Sequence, residues 1–300
     1  MTEFQDRFCT EEACQAYLEG IRWPDGFRCP ACGGRASWRM KRGRHVCRSC
    51  RRQVSATAGT IFQDTRKPLR QWFQAMWHVT NQKHGVSALG LQAALGLGSY
   101  HTAWTWLHKL RRAMIRPGRD RLSGLVEVDE IFIGGERPGK PGRGAAGKAL
   151  VLVAAQEAGP RKIGRIRLMR IPDAAMMTLH EAIAECVEPG STVRTDAWRG
   201  YNSLDMIGYE RTIASKNAVV GEDVLPLVNL VASLLKRWLL GTHQGAIRSS
   251  HLDYYLDEFT FRFNRRTSRS RGLLFRRLVE QAVAVGPWTE ADIRGGFAAS

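Results

Sequence analysis

The sequence predicts a multidomain α+β protein: a small cysteine-rich ribbon, a helical region, and a mixed α/β sheet flanked by helices. Three observations predict it. Two C-x2-C pairs fall in residues 23–60, a stretch rich in Gly and Arg that lacks helical periodicity. Apolar residues recur at helical spacing over residues 66–116. From Leu125 onward short apolar strands come first, and then strands and helices alternate. A chain of 300 residues has room for two or three such domains.

Residues 1–22 form the first expected element, an amphipathic helix with Phe8, Ala13, Tyr17 and Ile21 on one stripe. In residues 23–60, Cys29-Pro-Ala-Cys32 and Cys47-Arg-Ser-Cys50 are spaced to converge tetrahedrally on a structural Zn2+, with residues 33–46 as the joining hairpin. A redox use of the C-x-x-C pairs would want a βαβ context that is absent. Arg39, Lys41, Arg42, Arg44, Arg48, Arg51 and Arg52 surround this zinc ribbon, which could bind DNA or protein. Cys9, Cys14 and Cys186 have no partner at ligand spacing and read as ordinary thiols.

Residues 61–118 carry a helix-turn-helix pattern. A short helix follows Ser87, Gly96-Leu97-Gly98 turns, and Ser99 caps a longer helix to about Met114. If this pattern binds DNA, Tyr100, His101 and Thr102 approach base edges, and Lys109, Arg111 and Arg112 approach phosphates. The competing reading is a plain helical hairpin with a basic face. Trp72, Trp77, Trp104 and Trp106 read as core.

Residues 117–123 are a polar linker with a Pro-Gly turn. Strands are expected at Leu125–Ile133, Ala149–Ala155, Ile163–Ile171, Thr192–Thr195 and about Tyr209–Ile213. Helices are expected at Asp173–Val187, Trp198–Met206, Leu225–Leu240 and Ser249–Phe263. The loop Gly134–Lys148 is dense in Gly, Pro, Lys and Arg and is suited to tracking a nucleic-acid backbone. The catalytic domain is set at 124–270, followed by a C-terminal tail, 271–300.

Two acids close short strands, Asp129 and Asp196. Carboxylates on rigid, neighbouring strand ends can share hard divalent cations and so act at phosphorus. Asp196 could instead cap the helix that follows it. Glu127 and Asp129 share one strand face, and Glu130 points the other way. Asn229, Ser233 and Lys236 share a helical stripe, where an amide oxygen could ligate metal weakly and Lys236 could hold a phosphate. Glu258, Arg262 and Arg265 share another, which either positions a phosphate or braces the helix.

The formal net charge of +17 and a pI near 10.2 favour a polyanionic partner, namely DNA. The polar start Met1-Thr2-Glu3-Phe4-Gln5 has no export signal, and no apolar run reaches a membrane span of about 20 residues. Seven cysteines without an export signal imply a reducing cytoplasm. The expectation is therefore a cytoplasmic protein with no membrane partner, working at the bacterial nucleoid.

Four ordered motifs resemble those of bacterial insertion-sequence transposases of the ISXO2-like family. They are Val-Glu-Val-Asp129-Glu-Ile-Phe-Ile-Gly-Gly, Thr-Asp196-Ala-Trp-Arg-Gly-Tyr, Ala-Ser-Leu-Leu-Lys236-Arg-Trp-Leu-Leu-Gly-Thr-His-Gln-Gly, and Tyr-Leu-Asp-Glu258-Phe-Thr-Phe-Arg262-Phe-Asn-Arg265-Arg. The resemblance runs from about Phe8 to Leu278. It implies an N-terminal zinc ribbon and an RNase H-like catalytic domain with a D-D-(N/H/E)-K pattern. Asp129 and Asp196 would then hold two Mg2+ or Mn2+ ions, Asn229 would take the third position and Lys236 the lysine. Glu258, Arg262 and Arg265 would form the E-x3-R-x2-R signature.

The chain departs from the wider superfamily in lacking an acid between Val224 and Lys236, where most relatives have one; Glu222 and Asp223 lie just upstream. The implied activity is cutting and joining DNA at terminal inverted repeats by a homodimer or larger assembly. The alternatives are a catalytically inactive, transposase-derived zinc-ribbon DNA-binding protein, and an RNase H-like nuclease acting on hybrids or junctions.

Overall fold

The computed structural model describes residues 2–40, 43–116, 118–134, 148–214, 224–245 and 247–295. It divides into two units, residues 1–116 with 268–295, and residues 117–267.

The first unit begins with α1 (Thr2–Arg7) and α2 (Glu11–Arg22). The single helix expected over residues 1–22 is broken because Thr10 leaves helical geometry and accepts the N–H of Ala13, starting a new helix. A three-stranded antiparallel sheet follows, β1 (Ser37–Arg39), β2 (Arg44–Cys47) and β3 (Gln53–Ser55). Then come α3 (Leu69–Asn81), α4 (Ala88–Leu95) and α5 (Tyr100–Ala113). Trp72 and Trp106 are buried and stacked at 3.9 Å, as core residues should be.

The expected C-terminal tail contains two helices, α9 (Arg271–Ala284) and α10 (Glu290–Gly295). Leu274, Phe275, Leu278, Val279 and Ala282 make an apolar stripe on α9. Phe275 sits among Phe4, Phe8, Tyr17, Phe73 and Trp77, and that burial orders the segment.

The second unit is built on a five-stranded sheet. Its strands are β4 (Leu125–Ile133), β5 (Ala149–Glu157), β6 (Ile163–Ile171), β7 (Thr192–Thr195) and β8 (Glu210–Ile213), in the order β6-β5-β4-β7-β8. The pairs β4–β5 and β5–β6 are antiparallel, whereas β4–β7 and β7–β8 are parallel. The central strand β4 is covered on both faces, with Val126 and Val128 in one core and Ile131 and Ile133 in the other, and three acids, Glu127, Asp129 and Glu130, interrupt its apolar sequence.

One face packs on α7 (Pro226–His243) and α8 (Leu252–Phe263) through Ile131, Val151, Val153, Val231 and Leu235. The other packs on α6 (Met176–Cys186) through Val126, Val128, Leu152, Leu179 and Ile183. The sheet is therefore mixed and flanked by helices, as expected. Residues 198–206, expected as one helix, form two 3-10 turns. No helix among the described residues is long and apolar enough to cross a membrane.

Candidate functional site

The parallel pairing of β4 with β7 sets Leu125 against Thr192, Val126 against Val193, and Glu127 against Arg194. Carried two residues further, this register brings Asp196 level with Asp129. Neighbouring strands lie about 4.8 Å apart, so this extension of the register puts Asp196, the first residue after β7, beside Asp129, which lies in the middle of β4 and not at the strand end expected for it. One oxygen of Asp129 accepts the N–H of Glu130 at 2.8 Å. One oxygen of Asp196 accepts the N–H of Trp198 at 2.9 Å. The helix that Asp196 was expected to cap is absent: the 3-10 turn Arg199–Tyr201 has Trp198 at its N-cap and no side-chain cap, and the Asp196 contact instead turns the chain, engaging one oxygen and fixing where the carboxylate points.

Tyr201 is fully buried beside these acids. Burial first, and then the charges of Glu130, Asp129 and Asp196, push its phenol far above the usual range. One ring therefore senses three carboxylates, two in the middle of β4 and one just after β7. Among the described residues, the four thiols treated below are the one set of three or more His, Cys, Asp or Glu ligand atoms within 4.8 Å of one another. Among the described residues, therefore, no three carboxylates come that close to one another.

The turn after β7 is held rigidly. Arg211 on β8 donates to Thr195 Oγ1 at 3.1 Å, to the carbonyls of Asp196 and Trp198 at 3.0 Å each, and to Asn202 Oδ1 at 2.7 Å. The Trp198 indole donates to the Ala174 carbonyl at 3.0 Å. A Cβ at Gly200 would lie 2.5 Å from Trp198 Nε1 and 2.8 Å from the Ala174 oxygen, so only glycine fits. The Trp-Arg-Gly-Tyr run after Asp196 is thus a mount for that residue. Arg211 was not legible as part of it, because its partners lie across a strand and in a turn.

Glu127 shares the face of Asp129 but does a different job. It is buried, and its Oε2 accepts the N–H groups of Leu227 at 2.8 Å and Val228 at 3.2 Å in the first turn of α7. Arg194 lies 3.6 Å away. Burial raises its pKa against the opposing pull of those N–H groups and Arg194. This contact anchors the start of α7 to β4 two residues from Asp129.

The next residue, Asn229, is exposed, as are Ser233 and Lys236 on the same stripe, while Val228, Val231, Ala232 and Leu235 face the sheet. Glu222 and Asp223 lie outside the described residues, as does the basic loop apart from Gly134 and Lys148.

On α8, Glu258 is buried and pairs with Arg262 at 2.7 Å. Arg265 donates to the Phe261 carbonyl and stacks 4.1 Å from its ring. Arg262 thus contacts its own helix, and Arg265, just beyond the helix end, contacts its last turn.

In the first unit, Cys29, Cys32, Cys47 and Cys50 bring their sulfurs within 4.8 Å of one another. The two knuckles repeat one geometry. Gly33 N–H donates to Cys29 O at 2.9 Å and Arg51 N–H to Cys47 O at 3.0 Å, and Gly33 and Arg51 are both left-handed. Backbone N–H groups of Cys50 and Ser49 lower the Cys47 thiol to about 6, and those of Cys32 and Ala31 lower Cys29. Four soft donors, two of them with thiolates stabilised by the backbone, fit zinc. Cys14 and Cys186 are buried elsewhere, as expected of ordinary thiols.

Helices α4 and α5 start where foreseen, with Ser87 and Ser99 as caps and Gly96 left-handed between them. Tyr100 and His101 are exposed at the start of α5. Of the three basic residues foreseen at phosphates, Arg111 needs correction. Arg111 is buried at 2% exposure on the stripe of Leu107 and Leu110. The Lys109 ammonium lies 3.5 Å from the Ile61 carbonyl, and burial lowers its pKa. Arg112 stacks over Trp288. These side chains fold back onto their own unit because the last turn of α5 is packed rather than open.

Residues 121–264 match the ISXO2-like transposase domain, and residues 9–53 match the transposase zinc-ribbon domain. A curated relative from Halobacterium salinarum, described as an uncharacterized protein in transposable element ISH50, is 29% identical over 279 residues, 85% of this chain and 91% of that protein. Among solved structures, a simian T-cell lymphotropic virus intasome in complex with PP2A regulatory subunit B56 gamma aligns over 61% of this chain and 70% of its own, at 17% identity. Its TM-score of 0.34 is too low to bear on fold or function. The two family matches coincide with the cysteine ribbon and the mixed sheet, and the chain belongs to the ISXO2-like transposases that carry an N-terminal zinc ribbon.

Proposed function

We propose that the protein is an active DNA transposase, a polynucleotidyl transferase whose catalytic acids are Asp129 and Asp196. The observation that carries this is the parallel β4–β7 register, which, extended two residues past the pair Glu127–Arg194, brings Asp196 just after β7 beside Asp129 in the middle of β4. Acids gathered around a buried phenol are hard oxygen donors, and that donor set suits Mg2+ or Mn2+. Bound there, two such ions would supply activation of the attacking hydroxyl or water and stabilisation of the leaving oxygen. The strand order, with β5 antiparallel beside the central β4, is the order we read as RNase H-like.

The chain's own residues do the rest. Glu127 and Arg211 hold the start of α7 and the Asp196 turn in place before DNA arrives, so little reorganisation is needed at the reaction. Asn229 is the weak third ligand, and Lys236, exposed seven residues further along α7, steadies the phosphate beside the scissile bond. The Glu258–Arg262 pair braces α8, with Arg265 beside it.

The α4–α5 pair binds the terminal inverted repeats through Tyr100, His101 and Thr102. Exchanging one phosphodiester for another needs no energy cofactor, and processing two element ends calls for at least a dimer. With Mg2+ and labelled element-end DNA, the protein should nick at the ends and D129N should not. Equal cleavage by both would sink the assignment.

A further inference from the structure

The ribbon sheet has two unlike faces. On one, Arg39 and His45 reach Glu19 of α2 at 3.3 and 3.5 Å, and Phe27 stacks on His45, so that face is packed. The register sets Trp38 opposite Val46 and Val46 opposite Gln53, which puts them on the other face with Arg44 and Met40. There Trp38 is 38% and Met40 43% exposed, and Arg44 and Gln53 are also exposed. The Arg51 guanidinium lies over the Trp38 ring, 5.2 Å from its centroid.

The repeated knuckles supply an internal control. The residue after the second cysteine is left-handed in both, at φ +73 for Gly33 and +61 for Arg51. Glycine occupies this conformation freely, whereas a side chain there costs about 1 kcal/mol. The second knuckle nevertheless carries arginine, and its side chain covers an exposed tryptophan. Strain kept at an exposed position points from structure to function.

Charge identifies the partner. Between Asp25 and Asp64 there are nine Lys or Arg and no Asp or Glu. A guanidinium stacked on an indole keeps its N–H donors free at the edge, where they match a phosphate.

We infer that this outer ribbon face, centred on Arg51 stacked over Trp38 with Arg44 beside them, binds the DNA sugar–phosphate backbone without regard to sequence. The inference rests on DNA being the substrate of the protein, and it assigns the ribbon a contact separate from α4–α5. Bases that leave a duplex find Trp38 as a stacking partner.

The test uses the full chain in buffer without Mg2+, so that binding is read apart from cleavage. The probes are a short fluorescein-labelled duplex of arbitrary sequence and an oligothymidylate of the same length, followed by anisotropy across a salt series. Arg51→Gly restores the residue found in the other knuckle, so it should keep one zinc and melt no lower than the parent. It should weaken binding to both probes about five- to ten-fold and reduce the salt slope by about one.

Trp38→Ser, at an exposed position outside the knuckles, should weaken oligothymidylate binding about ten-fold, and it decides the matter if R51G loses zinc. Parental affinity for both probes in zinc-loaded variants would overturn the inference. So would variants that change only self-association, because they would assign the face to a protein partner. Failure to cleave element ends while these binding losses stand would sink the transposase reading and leave this one intact.

Discussion

Glu127 ties the central strand to helix α7 by accepting the backbone N–H of Leu227 at 2.8 Å, one hundred residues away in sequence. The contact satisfies two N–H groups that a helix start leaves without partners, and it fixes the start of α7 against β4. Glu127→Ala should cost about 1–3 kcal/mol in chemical denaturation, because it strands those donors. Glu127→Gln keeps an acceptor and should cost much less.

The same pair of proteins gives a pH test. Burial raises the folded pKa of Glu127 above its ordinary value of 4.5. The folded state therefore holds this proton more tightly than the unfolded state. The contribution of this group falls as pH rises from its unfolded value through its raised folded value. Stability of the parent relative to E127Q should thus decline with rising pH across that window, as read by urea midpoints. A difference independent of pH would contradict the buried-carboxylate account.

Gly200 has no room for a methyl group between the Trp198 indole and the Ala174 carbonyl. Gly200→Ala should lower stability by about 1–3 kcal/mol through overpacking. It should also depress end cleavage beyond what unfolding explains, because the Asp196 turn must shift. Thermal melts and single-turnover nicking check the two effects separately.

Arg211 spends its planar fork on two carbonyls and two side-chain oxygens around Asp196. Lysine is a compact ammonium and cannot span that set. Arg211→Lys should leave the chain folded and reduce the cleavage rate constant by up to about a hundred-fold through misplacement of the carboxylate. An unchanged rate constant would remove Arg211 from the positioning role.

The thiols divide into three kinds. Burial pushes Cys14 and Cys186 up to about 12, so at pH 8 almost none is thiolate. Cys9 is exposed, and the remaining four would be held by zinc. Iodoacetamide on native protein should label Cys9 first, and a chelator should add the four ribbon cysteines, as mass spectrometry would count. Fast labelling of Cys186 in native protein would contradict its burial.

Much of the second unit was legible in the chain. The bounds of β4, β6 and β7 are as expected, because their β-branched and apolar residues mark the strands even where acids or arginines interrupt them. The pairing of Asp129 with Asp196 needed the parallel register, which sequence alone does not contain. Glu127 escaped notice as an anchor because its partners are backbone groups far along the chain, and Arg211 because its partners lie across a strand and in a turn. Arg111 shows the opposite error. A basic residue near a helix end was read as a phosphate contact, yet it shares the stripe of Leu107 and Leu110 and is buried with them. The apolar stripe of α9 was present in the sequence, and its aromatic partners lie more than 190 residues upstream, so only tertiary packing explains why it is ordered.

The central claim is that Asp129 and Asp196 jointly hold the catalytic cations. Anomalous diffraction from crystals soaked in Mn2+ tests it most directly. The account predicts manganese peaks in contact with both carboxylates in the parent protein, and their loss in D129N. Manganese bound by only one of the two acids, or retained there in D129N, would contradict it.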